Sequence, residues 1–171
     1  MFAVRRIRVD EGPRLRSIRL AALADAPGDA TTTLARAEAR GDDHWAEAAL
    51  VNASGGLQAT FFAELADDEG AGLGDEPVGL IGAYANETGI VNLVGLWTAP
   101  GHRDMGVATA LLAAVAEWAQ TIGAERLRIW LVERNEFAKA FWVNEGFEPT
   151  GARIPYELDP RLDQVAMVRK V

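Results

Sequence analysis

Pro100-Gly-His-Arg-Asp-Met-Gly-Val-Ala-Thr-Ala-Leu-Leu112 carries the strongest structural signal in this chain of 171 residues. An apolar run at residues 90–97 precedes it and predicts a buried strand. After Gly106, apolar side chains recur at spacings of three and four up to Ile122, which is typical of one buried face of a helix. The sequence therefore predicts a strand, a glycine-containing loop and a helix.

A helix that begins directly after such a loop offers a site for an anion. Its first backbone N–H groups have no partner within the helix, and the helix dipole adds partial positive charge there. Gly106 and Ala108 have almost no side chain, so a phosphate could approach the backbone closely. Arg103 lies one turn earlier and carries the planar donor group that suits phosphate. The loop alone is equally compatible with a plain turn in which Gly106 relieves crowding against a sheet.

A second strand and helix follow the first pair. Gly123 predicts the end of the first helix in the left-handed conformation. Residues 126–132 alternate in polarity and predict a strand. Asn135 is a good N-cap for the next helix, which Gly146 closes.

Together these two units resemble the GCN5-related N-acetyltransferase (GNAT) superfamily. The first motif is Arg103-x-x-Gly106-x-Ala108, and the second is Asn135-x-x-Ala138-x-x-Phe141-Trp142-x-x-x-Gly146-Phe147. They occur in the order and at the spacing of that family, over residues 90–147. The resemblance implies an α/β (α+β) fold in a single domain over residues 1–171. Its central sheet would be mixed, mostly antiparallel and twisted, with about six to seven strands and about four flanking helices.

The resemblance also implies that acetyl-CoA is the co-substrate. The strand end at residues 96–98 would hydrogen-bond the pantetheine arm, and a backbone N–H at Leu96 or Trp97 would point at the thioester oxygen. The loop would bind the pyrophosphate, and the second helix would flank the pantetheine and the thiol. In chain order, the implied cofactor-binding residues are Leu96, Trp97, Thr98, Arg103, Asp104, Met105, Gly106, Val107, Ala108, Thr109, Asn135, Ala138 and Phe141.

Protonation of the leaving thiolate is the first chemical question. The family usually has a tyrosine at the position of Trp142, and an indole N–H cannot release its proton at useful pH. A thiol with a pKa near 8.5 can leave without full protonation near neutral pH. We therefore favour a packing role for Trp142 over a catalytic one. Tyr84 and Tyr156 are alternative proton donors that the sequence does not place.

Removal of a proton from the acceptor amine is the second question, since such an amine has a pKa around 10. Many members of the family carry a glutamate on the strand before the loop, whereas this chain has Asn92 there. The nearest candidate bases are Glu133 and Glu87, and a water molecule is a further option. For each glutamate a solvated surface charge is the commoner role. The resemblance implies that residues 31–50 cover the acceptor side of the cleft. His44 and Trp45 are candidates for lining that pocket, but we favour positions on the surface of a helix for both.

Composition excludes several classes of function. The net charge of −8 and the pI near 4.8 argue against nonspecific nucleic-acid binding. That charge is compatible with a cationic substrate in an acidic cleft, although solubility explains it more simply. The sequence has no cysteine, only two distant histidines and no apolar run of about 18 residues, so we expect no disulfide, no metal site and no membrane span. No signal peptide is recognisable, and a cytoplasmic protein is the simplest expectation.

The sequence thus predicts an acetyl-CoA-dependent N-acetyltransferase that acts on a primary amine of a small molecule or of a protein. The alternative is a CoA-binding GNAT-like module without transfer activity, which acts as a sensor or a partner protein. A different acyl group or a non-nitrogen acceptor is a third possibility. A homodimer is possible, because dimers are common among proteins of this kind.

The remaining elements follow from local patterns. We predict a first strand at residues 5–9, and a helix that Asp10 caps and that points its arginines, including Arg19, mostly outward. Gly41 is expected to interrupt a helical segment, and residues 67–76 form an acidic hairpin connection. Further predicted strands lie at residues 60–65, 78–85 and 147–154, followed by a connection with Pro155 and Pro160 and a final strand at 164–169.

Overall fold

A computed structural model describes residues 1–69, 72 and 76–171 of the chain. Its core is a seven-stranded sheet with the order β1-β2-β3-β4-β5-β7-β6. Only β4 and β5 pair in parallel, so the sheet is mixed and mostly antiparallel, as predicted. The strands are β1 (Phe2–Arg6), β2 (Gln58–Leu65), β3 (Gly79–Glu87), β4 (Ile90–Thr98), β5 (Arg126–Val132), β6 (Glu148–Tyr156) and β7 (Asp159–Lys170).

Five α-helices occur in the described part of the chain: α1 (Gly12–Asp25), α2 (Leu34–Glu38), α3 (Asp42–Ser54), α4 (Val107–Thr121) and α5 (Glu136–Asn144). This is one more than the four or so expected. Gly41 interrupts the predicted helical segment and becomes the N-cap of α3, which leaves α2 as a separate short helix. None of the described helices has both the length and the apolar character needed to cross a bilayer.

The helices cover both faces of the sheet. Neighbouring residues of β2 and β3 point to opposite faces, and they belong to two different buried clusters. One cluster packs α1 to α3 on the sheet and includes Leu15, Ile18, Trp45, Phe62 and Leu80. The other packs α4 and α5 on the opposite face and includes Phe61, Ile81, Leu111, Val115 and Trp142.

β4 and β5 separate halfway along their length. Their pairing begins at Ile90 with Arg126 and ends at Leu93 with Ile129. β4 continues to Thr98 on the pairing of β3, while β5 continues to Val132 on the pairing of β7. A wedge-shaped opening therefore lies between the two strands, where none of the described strands pairs with residues 94–98 of β4 on the β5 side. We call this feature the β4–β5 opening.

Some local predictions were wrong. The first strand is Phe2–Arg6 rather than residues 5–9, and Glu11 rather than Asp10 is the N-cap of α1. The connection expected around Pro155 and Pro160 does not exist, because both prolines lie inside β6 and β7. β6 is the edge strand and Pro160 stands near the start of β7, positions where a strand tolerates proline. The predicted connection at 67–76 lies partly outside the described residues.

Candidate active site

The loop between β4 and α4 has the conformation of an anion site. Gly106 is the N-cap of α4 with a φ of 80°, and Asp104 also has a positive φ of 63°. The first backbone hydrogen bond of the helix runs from the Ala110 N–H to the Gly106 oxygen, at 3.0 Å. The N–H groups of residues 107–109 precede that bond and therefore need another acceptor. A Cβ added at Gly106 would meet nothing within 4 Å, so the space beside the loop is open.

Arg103 is held by its neighbours at the start of this loop. Its Nε donates to the Thr98 oxygen at 3.1 Å, and its guanidinium pairs with Asp25, the last residue of α1. The Trp97 indole N–H donates to the same carboxylate at 2.9 Å. The hydrogen bonds from Trp97 and Arg103 lower the pKa of Asp25. Asp25 thus ties the end of β4 and the loop to α1.

Helix α5 follows β5, and its C-terminal end lies beside the start of α4. Asn135 caps α5, as predicted, by accepting the Ala138 N–H at 3.1 Å. Thr109 near the start of α4 donates to Glu145 after the end of α5, at 2.6 Å, so the two helices are joined beside the loop. Phe141 is half-buried on this helix. The predicted cofactor-binding residues therefore lie on the end of β4, on the loop and first turn of α4, and at and after the N-cap of α5.

Trp142 is part of the hydrophobic core. It is 4% exposed and packs edge to face against Phe141 and Phe147, with ring centroids 5.0 Å apart in each pair. This environment favours the packing role. Tyr156 is also buried, and its hydroxyl donates to the Ala30 oxygen at 2.7 Å.

The two candidate glutamates lie at different ends of the sheet. Glu87 is paired with Ile90 at the beginning of β4 and binds Arg128 at 2.7 Å. The strand rise places it roughly 23 Å from the level of Trp97. Glu133 directly follows β5, at the same end of the sheet as the loop. Its carboxylate pairs with Arg153, which lowers the pKa of Glu133.

A cavity of about 270 Å³ lies on the other side of β4, between α1, α3 and strands β2 to β4. His44, Trp45 and Tyr84 line it, so the segment expected to cover the acceptor does contribute to a pocket. Although the chain carries a net charge of −8, two arginines and no carboxylate line the pocket among the described residues. The net charge of the chain is compatible with an acidic cleft, but this pocket is not such a cleft. Its polar lining is Arg19, Arg40, His44, Trp45, Asn52, Gln58, Thr60 and Tyr84.

Arg19 was expected to point outward, and that prediction was wrong. It lines the cavity and is only partly accessible. One signal could have found it, since it stands four residues after buried Leu15 and next to buried Ile18. The preference of arginine for the surface outweighed that spacing in the sequence interpretation.

Comparisons with known proteins agree with this geometry. The model of the acetyltransferase (GNAT) family matches residues 30–147. That match covers most of the chain, which therefore belongs to the GNAT acetyltransferase family. Among curated proteins, none matches this chain.

Solved structures share the fold at low sequence identity. A GNAT-family acetyltransferase from Streptococcus pneumoniae aligns over 100% of both chains with a TM-score of 0.73 and 19% identity. The PaiA N-acetyltransferase from Thermoplasma acidophilum, solved with coenzyme A, aligns over 100% of this chain and 99% of its own, with a TM-score of 0.72 and 13% identity. YncA from Salmonella typhimurium, solved with acetyl-CoA, covers 99% and 94%, with a TM-score of 0.68 and 15% identity.

Proposed function

We propose that this protein is an acetyl-CoA-dependent N-acetyltransferase that acts on a primary amine. The observation that carries the proposal is the β4–β5 opening, which ends beside the unpaired N-terminus of α4. An extended pantetheine arm can pair with a strand edge there, while the helix N-terminus receives the pyrophosphate. The bound CoA and acetyl-CoA of the two structural relatives support the same use of the fold.

Each of the predicted cofactor-binding residues receives a role in this proposal. The backbone of Leu96, Trp97 and Thr98 binds the pantetheine arm, and an N–H of Leu96 or Trp97 stabilises the oxyanion. The backbone of residues 104–109 binds the pyrophosphate. Asn135 and α5, through Ala138 and Phe141, flank the thiol end. Arg103 sets the position of the loop through its bonds to Asp25 and Thr98.

The chemistry is a direct displacement at the thioester. The lone pair of the neutral amine attacks the carbonyl carbon, the bond between carbon and sulfur breaks, and the electron pair leaves on the CoA thiolate. The site contributes by holding the two reactants in place and by donating to the oxyanion. The amine loses its proton to solvent or to a base, and the thiolate needs no protein acid at neutral pH, because thiols of this kind have a pKa near 8.5.

Calorimetry with acetyl-CoA and CoA, followed by thiol release with a panel of primary amines, tests the proposal. We expect saturable binding at one site per chain and turnover of at least one amine. The chain has no cysteine, so thiol detection has no background from the protein. Absence of binding would refute the cofactor site. Binding without turnover of any amine would support the alternative, a CoA-binding module without transfer activity.

Glu133→Gln tests whether Glu133 is the general base. Its pairing with Arg153 lowers its pKa, and a weaker base contributes less to proton removal. We therefore expect kcat/KM to change less than about threefold across pH 6–9. Glu136→Gln, an exposed glutamate three residues further on, is the matched control. A loss of about 100-fold together with a changed pH profile would instead identify Glu133 as the base.

A further inference from the structure

The guanidinium of Arg19 lies directly against β4 where that strand is distorted. Gly95 has a φ of 63°, and the pairing with β3 shifts register between Leu80 and Gly82. A Cβ built at Gly95 would lie 2.0 Å from Arg19 Nη1, and one at Gly82 would lie 3.9 Å from Nη2. The missing side chain at Gly95 therefore makes room for this guanidinium, one residue before Leu96.

This cation has no counter-charge in the described part of the chain. No carboxylate lines the cavity there, and the charged group that affects the pKa of Arg19 is the Arg40 guanidinium. Burial, with a smaller contribution from Arg40, lowers the pKa of Arg19 to about 10. Arg19 is thus still charged at neutral pH. A desolvated cation beside a second cation is costly unless an anion pairs with both.

Trp45 is a further residue of the cavity wall. It is 4% exposed, and its buried Nε1–H has no hydrogen-bond partner among the described residues. The cavity lining therefore combines two guanidinium groups with an indole ring.

The cavity also has the right position for the acceptor. It reaches β4 at Val94, whereas the proposed thioester contacts begin at Leu96. The cofactor would enter between β4 and β5. Helix α5 packs on one face of the sheet, and the cavity lies on the other face, where α1 and α3 line it. Its volume of about 270 Å³ lies just below the usual range of ligand pockets, about 300–1,000 Å³, which favours a small molecule as the acceptor.

We propose that the acceptor is a small amine that carries a carboxylate, such as an amino acid, and that Arg19 and Arg40 bind this carboxylate. This inference rests on the proposed function and adds the substrate class to it. The guanidinium group can bind a carboxylate through two parallel hydrogen bonds, which fixes the orientation of the acceptor as well as its charge. The amine at the other end of a short molecule is then directed toward β4 and the thioester.

Matched pairs of amino acids and their carboxamides test the proposal, because the two differ in the charge and keep the amine. We expect wild-type kcat/KM to favour the carboxylate by about 30-fold or more. Arg19→Met is expected to remove most of this preference, with acetyl-CoA affinity unchanged. Arg40→Met changes a more exposed arginine, and we expect it to reduce the preference for the carboxylate about three- to tenfold. This variant replaces Arg19→Met in the test if Arg19→Met does not fold. Arg16→Met, on the same helix but outside the cavity, is the control.

The outcomes separate this inference from the proposed function. Equal or better use of the carboxamides, or an unchanged preference in Arg19→Met, would overturn the carboxylate site while leaving acetyl transfer intact. A preference for O-phosphoethanolamine over every carboxylate would assign the two arginines to a phosphate and also overturn it. Thermal stabilisation by N-acetylated amino acids gives a readout that does not depend on turnover. We expect this thermal stabilisation in the wild-type protein and no such stabilisation in Arg19→Met.

Discussion

Gly106→Val is expected to weaken CoA and acetyl-CoA binding by about 30-fold or more. Gly106 combines a φ of 80° with open space beside the first turn of α4, where we propose that the pyrophosphate binds. A branched side chain would occupy that space and turn the N–H groups of the loop away from the phosphate oxygens. Calorimetric titration with CoA measures the change directly, without dependence on the acceptor.

Gly123→Val provides a closely matched control. Gly123 follows the other end of α4, has a φ of 78° and also has nothing within 4 Å of an added Cβ. In each variant a left-handed non-glycine residue costs about 1–2 kcal/mol. We therefore expect similar losses in the free energy of unfolding, but a loss of CoA affinity in Gly106→Val only. Equal affinity in the two variants would show that the loop is not the phosphate site.

Glu11→Gln is expected to lower the free energy of unfolding by about 3 kcal/mol at pH 7. Glu11 is 7% exposed and binds Arg5 and Arg14 at 2.6 and 2.7 Å, and Glu64 binds the same two arginines. These bonds, first of all the one from Arg5, lower the pKa of Glu11 from 4.5 to about 2. The network joins β1, β2 and the start of α1.

The pH dependence of this difference identifies its cause. A carboxylate with a lowered pKa in the folded state stabilises the fold above its unfolded pKa, and that stabilisation is lost as the pH falls through the folded pKa. The difference between wild type and Glu11→Gln should therefore shrink between pH about 4.5 and about 2. Urea unfolding at pH 7 and pH 3 measures it. Glu136→Gln, at a side chain that is 81% exposed, is expected to change little at either pH.

An equal loss at both pH values would contradict this explanation. It would mean that the substituted glutamine packs or hydrogen-bonds poorly, independently of charge. The ratio of the losses in the free energy of unfolding at pH 7 and pH 3 is thus more informative than either loss alone. A packing defect does not depend on the protonation of one carboxylate.

The helix ends and the strand around the proposed cofactor site could be predicted well because their signals are local. Gly106 and Gly123 carry the positive φ that a helix end next to a tight turn requires, and Asn135 caps the helix that follows it within the same short segment. β5 has the bounds that alternation predicted, since a strand buried on one face follows a period of two.

The acceptor half could not be predicted, because it depends on contacts between distant parts of the chain. Arg19 enters the cavity only because Gly95, 76 residues later, leaves room for it. Asp25 meets Arg103 across 78 positions, and no local pattern indicates that pair. Glu11 was missed for the same reason, because the network that it shares with Glu64 closes through β2.

The bond between Asp25 and Arg103 has a consequence for the coupling between the two proposed substrate sites. Arg19 and Asp25 stand six residues apart on α1, a distance of about 9 Å along a rigid helix. The first faces the acceptor cavity, and the second holds the cofactor loop and Trp97. Because helix α1 contacts both proposed sites, a ligand that shifts this helix at one site would change the affinity of the other site, by the same factor in both directions.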